Sequence, residues 1–139
     1  MKKRPAKPQT KKAPKSRRAM VKFVAISEEM KAWSAMLAEE LRLLPGISTK
    51  PMFGFLSFYR KGAVFAALPQ TRGFGTASSM ILKFNPVPPD WLKAAQSDPR
   101  MDANTRIPGK GWISFTLNFE SDLRDALLWL NRAYEKAAK

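Results

Sequence analysis

Residues 50–69, KPMFGFLSFYRKGAVFAALP, constrain the fold more than any other part of the chain. Two apolar runs, the first dense in aromatics, flank Lys61-Gly62. Aromatic-rich runs suit a pleated strand, and a two-residue connection containing glycine supplies the positive φ of a tight hairpin. Alternation sends Phe53, Phe55, Ser57 and Tyr59 to one side and Met52, Leu56 and Phe58 to the other. AVFAAL is the return strand, stopped by Pro69. A lone hairpin is marginal in water, so this one must be covered by another layer.

The flanking segments supply that layer. Ser27 is an expected N-cap, with Glu28 and Glu29 in the first turn, where they complement the helix dipole. Met30, Trp33, Leu37, Leu41 and Leu44 then recur at helical spacing, and Pro45-Gly46 ends the helix. QTRGFGTASS is expected to be a loop, and MILKF a third strand closed by Pro86, Pro88 and Pro89. Pro89 or Asp90 opens a short helix that stops before Asp98-Pro99. RMDANTRIP is a candidate edge strand. In WISFTLNF, Ile113, Phe115 and Leu117 alternate with Trp112, Ser114 and Thr116, the pattern of a half-buried strand. Ser121 is an expected cap for a last helix with Leu123, Ala126, Leu127, Leu130 and Tyr134 on one stripe. The order is helix, three strands, helix, two strands, helix. It predicts a two-layer α+β domain: an antiparallel sheet with its helices packed mainly on one face.

The charge is unevenly placed. Of 25 Lys and Arg, ten fall in residues 1–22, which hold no acid; the remainder carries 15 cations against 11 acids, a net of +4. MKKRPAKPQTKKAPKSRR has three prolines and no aromatic residue. Such a segment cannot bury enough apolar surface to offset its ordering entropy. Residues 1–22 are therefore expected to be a disordered basic tail and residues 23–139 a single domain. The tail suits a polyanion, DNA or RNA, bound without sequence preference; it would equally serve as a solubilising segment. No apolar h-region follows it, so it does not read as a secretory signal.

The chain has no cysteine and no histidine. Thiolate nucleophiles, disulfides and imidazole bases are thereby excluded, together with most zinc sites. Zero cysteine fits a cytoplasmic protein, and no apolar run is long enough to span a membrane. What remains for catalysis is thin. Asp98 and Asp102 could form a carboxylate pair, though Asp98-Pro99 also fits a plain turn. Ser78-Ser79 has only Lys83 as a remote base. The glycines of TRGFG, with Arg72, could form an anion nest, but a strand follows where a phosphate-binding helix would be required. PGKG at residues 108–111 is a turn first and an anion site second.

Basic side chains are the better supplied resource. The candidate nucleic-acid contacts are Lys2, Lys3, Arg4, Lys11, Lys12, Arg17 and Arg18 in the tail, with Arg60, Lys61, Arg72, Arg106 and Lys110 in the domain. Lys50 and Lys83 add to the basic set, and Phe74 or Trp112 could stack on bases. Phe53, Phe55, Phe58, Tyr59 and Phe65 could line a ligand pocket or simply form core. An uncovered apolar sheet face would instead imply a protein partner or a homodimer.

RLLPGISTKPMFGFLSFYRKGAVFAALP, then MILKF, then GWISFTL and a helix ending in AYEKA, resembles the TfoX N-terminal domain and YjbR-like proteins. The matching features are Met52-Phe53-Gly54, Gly62, Phe65-Ala66, Lys83, Trp112 and Tyr134. They cover about residues 28 to 138. The resemblance implies the element order given above and a bacterial protein. It also implies a regulatory or DNA-binding role, with no catalytic residue. The expected function is a non-enzymatic cytoplasmic domain that binds nucleic acid weakly through its tail, without cofactor. The alternative is a protein-interaction or small-ligand module that uses the aromatic-rich sheet.

Overall fold

The computed structural model describes residues 23–74, 76–84, 86–105, 107 and 110–137. The expected basic tail lies outside the described residues, and with it Lys2, Lys3, Arg4, Lys11, Lys12, Arg17 and Arg18; so does Arg106. Strand β1 (Phe23–Ala25) precedes helix α1 (Glu28–Arg42). Strands β2 (Ile47–Met52), β3 (Phe55–Arg60), β4 (Ala63–Pro69), β5 (Arg72–Phe74) and β6 (Ser79–Lys83) follow. Helix α2 (Pro89–Ser97), β7 (Met101–Asp102), β8 (Trp112–Thr116), a 3-10 turn (Glu120–Asp122) and α3 (Leu123–Lys136) complete the order. Six strands form one antiparallel sheet in the order β2-β3-β4-β6-β8-β7, while β1 and β5 pair separately. The domain is α+β, with more strands than the sequence predicts.

Local chemistry explains most of these elements. The Ser27 hydroxyl accepts from the Met30 amide at 3.1 Å, and Met30, Trp33, Leu37 and Leu41 form the buried stripe of α1. Lys61 and Gly62, at φ of 50° and 85°, make the expected β3–β4 turn. The same geometry recurs one strand earlier. Phe53 and Gly54, at φ of 52° and 87°, form a second two-residue turn that divides the expected first strand into β2 and β3. Positive φ at both central residues marks a type I′ turn, whose twist suits antiparallel strands. No atom lies within 4 Å of where a Cβ would stand on Gly62. Gly62→Ala should therefore lose only the left-handed preference, about 1 kcal/mol, measurable as a lower urea midpoint at unchanged slope.

Register assigns the two faces of the sheet. Leu56 opposes Leu68, Ala66 opposes Leu82, and Leu82 opposes Ile113. These residues share a core with Leu37 and Leu41 of α1, Ala95 of α2, and Leu130 and Ala133 of α3. On the opposite side, Phe55, Ala67 and Ile81 form a second, smaller cluster, with Ile107 and Trp112 packed against it and no helix residue among its described members. Between Phe58 and Tyr59 the register shifts from Ala66 to Val64, so Phe65 is the extra residue in β4, the pattern of a bulge.

Helix α3 differs from expectation at its start. Ser121 lies in the 3-10 turn, and Asp122 accepts from the Asn118 and Phe119 amides at 2.8 and 3.0 Å. At its far end Tyr134 is a hub. Its hydroxyl donates to the Pro45 carbonyl at 2.7 Å, its ring meets Phe65 edge-on at 5.7 Å, and its carbonyl accepts from Arg60.

Candidate functional site

The second sheet face carries a groove of about 170 Å³, lined by Phe53, Phe55, Tyr59, Ile81, Ile107 and Trp112 among others. Pairing explains the assembly: Met52 stands beside Phe55, Lys50 beside Ser57, and Ile81 beside both Ala67 and Ser114. The floor is buried, whereas Phe53 at the rim is 76% exposed and Met52 48%. Positive charge flanks the rings. Lys50 Nζ lies 5.8 Å from the centre of the Tyr59 ring, and Lys83 Nζ lies 5.0 Å from that of Trp112. Lys83 also donates to the Lys110 backbone carbonyl at 2.8 Å.

The described basic residues among those named from the sequence do not gather into one patch. Arg60, expected at an exposed hairpin tip, turns to α3. Its Nη1 donates to the Tyr134 carbonyl at 3.0 Å and its guanidinium lies 4.0 Å from the Tyr134 ring centre, where a cation complements a helix C-terminus. Lys61 lies against Gly46, and Arg72 against Gly54 at the other end of the β3 strand. Of the described members of this set none lines the groove, and Lys110 comes near it through its backbone carbonyl.

The glycine-rich loop proves to be structure. Arg72–Phe74 is strand β5, paired with β1. The Gly54 carbonyl accepts from the amides of Gln70, Thr71 and Arg72 at 2.8, 2.9 and 3.4 Å, so the Thr71 and Arg72 amides are already engaged. A Cβ on Gly73 would collide with the Thr76 carbonyl oxygen, so that glycine serves close packing. Gly75, Pro108 and Gly109 lie outside the described residues.

Asp98 and Asp102 engage different partners. Asp102 accepts from the Asn104 amide, while Asp98 binds Arg100 through Nε and Nη2 at 3.0 and 2.7 Å. The same guanidinium reaches Asp122 at 2.9 Å and Asp125 at 3.0 Å, and lies over the Phe115 ring at 4.9 Å. The Arg100 hydrogen bond holds the Asp98 carboxyl below its ordinary range. Burial alone would raise Asp122, but the Asn118 and Phe119 amides together with Arg100 bring it below its ordinary range as well. Arg100 is held charged by the three carboxylates. The cluster ties the α2–β7 connection to the start of α3. Ser79, by contrast, is buried, its hydroxyl bonded to that of Thr76 and 2.9 Å from that of Thr116.

No family model, curated protein or solved structure matches this chain. Among the described residues no helix is long and apolar enough to cross a membrane.

Proposed function

We propose that this is a non-enzymatic binding domain whose aromatic sheet face receives single-stranded nucleic acid, with the cations of residues 1–22 adding sequence-independent phosphate contacts. The observation that carries the reading is Phe53. A bulky residue at positive φ is rare, and the first central position of a type I′ turn ordinarily calls for Asn, Asp or Gly. Strain of this kind clusters at functional sites. Here it holds an aromatic ring 76% exposed at the rim of the groove.

The groove suits one planar ring, and its apolar lining suits stacking, which tolerates any base. Lys50 and Lys83 place positive charge beside the rings, where phosphates flanking a stacked base would lie. In this reading the helices gather mainly on the opposite face and leave the aromatic one open. Kinship with the TfoX N-terminal domain and YjbR-like proteins, in a bacterial cytoplasm, is part of the same proposal and rests on the sequence features given above.

Phe53→Asn separates function from folding. It should stabilise the turn by about 0.5–1 kcal/mol, yet weaken binding of a fluorescent oligothymidylate at least tenfold, since stacking on one ring contributes about 1–3 kcal/mol. Unchanged affinity in a folded Phe53→Asn protein would overturn the proposal. The apolar lining also fits a side chain from a second copy of the chain. A dimer in solution that dissociates in Phe53→Asn would establish that reading instead.

A further inference from the structure

A hollow of about 320 Å³ lies between α1 and the end of the sheet nearest Gln70. Its wall on the helix is a single stripe: Lys31, Ser34, Ala35, Ala38 and Arg42 recur at i, i+3, i+4, i+7 and i+11. The small residues keep the helix surface low, while Leu56, Leu68 and Pro69 form the apolar wall opposite. The volume lies within the range of small-molecule sites.

Ser34 makes this more than a packing fault. It is 5% exposed, and its hydroxyl oxygen is buried without a hydrogen-bond partner among the described residues. A helical serine normally satisfies itself on the carbonyl four residues earlier, and a buried hydroxyl left alone is destabilising. This one lines the hollow. Two cations stand on the same stripe: Lys31, which also pairs with Glu28 at 2.9 Å, and Arg42 at the other end. Among the described lining residues Glu39 is the one acid, and with Lys31 held by Glu28 the cation the hollow offers is Arg42.

We infer that this hollow is a binding site for a small organic anion, with its carboxylate shared between Arg42 and the Ser34 hydroxyl and its apolar body against Ala38, Leu56 and Leu68. Arginine favours carboxylates because its planar fork matches them. The site is separate from the aromatic groove: the two share no described lining residue.

Hexanoate and benzoate are the probes, with inorganic phosphate as charge without an apolar body. Titrated into the full chain, hexanoate or benzoate should raise the melting temperature saturably, as ligand linkage requires, and should shift the amide resonances of α1 while leaving those around Trp112 unmoved. Phosphate should do so at least tenfold more weakly. Arg42→Gln should weaken binding about tenfold. Ser34→Ala should melt higher than the parent without ligand, because the lone hydroxyl is gone, and bind several-fold more weakly. No saturable shift, or shifts equal in parent, Arg42→Gln and Ser34→Ala, would overturn the inference. Neither result depends on nucleic-acid binding, and failure at the aromatic groove leaves this site intact.

Discussion

Arg100→Ala is expected to lower the stability of the domain by about 3 kcal/mol, because it leaves carboxylates of the α2–β7 connection and of α3 without their cation. The side chains of Arg100, Asp98 and Asp122 are 23%, 20% and 11% exposed, so solvent screens them only in part. Asp125, at 45%, adds little. The loss should appear as a lower urea midpoint. Its pH dependence follows from the carboxyls: both Asp98 and Asp122 are held below their ordinary range. Their contribution is complete above the unfolded carboxylate value, near about pH 4. It disappears as pH falls through the lower folded values. The gap between parent and Arg100→Ala should therefore narrow between pH 7 and pH 3. A gap constant across that range would refute the assignment.

The second large effect concerns residues 1–22, with ten cations and no acid. Counterion release makes log K fall with log salt by about 0.7 per phosphate neutralised on a single strand. A chain beginning at Phe23 should therefore show a salt slope shallower by roughly 5, and an affinity at 50 mM salt at least about a hundredfold lower, if most of those cations meet phosphates. Fluorescence anisotropy with one labelled oligothymidylate, read across salt concentrations for both chains, measures both quantities. Parallel slopes would remove residues 1–22 from the interface. A slope that differs while Phe53→Asn leaves both affinities unmoved would confine binding to residues 1–22 and dismiss the groove.

Features governed by neighbours along the chain are legible in the amino-acid sequence. Ser27 caps α1 through the amide three residues on, Lys61-Gly62 turns the hairpin, and Ile113 and Phe115 alternate into the core. Features that depend on distant partners are not. Strands β1 and β5 are three residues each, too short for a periodic signal, and exist by pairing with one another. The break at Phe53-Gly54 is hidden because phenylalanine is a poor turn residue. Arg100 gathers carboxylates two, 22 and 25 positions away, a constellation that no local pattern announces. Of the candidate site, the aromatic residues are visible as a group. Their division between core and groove depends on the register that the added turn sets: Phe58 and Phe65 are core, while Phe53, Phe55 and Tyr59 line the groove.

The outer strands of the six-stranded sheet bear on how this molecule can associate. At one border stands β2, where Pro51 has no N–H to offer and Lys50 is an exposed charge; at the other stands β7, two residues long. Proline, lysine and brevity are the means by which proteins deter intermolecular strand addition. Lengthening of the sheet into fibrils or swapped ribbons is thus disfavoured, and a broadside approach is the easier one.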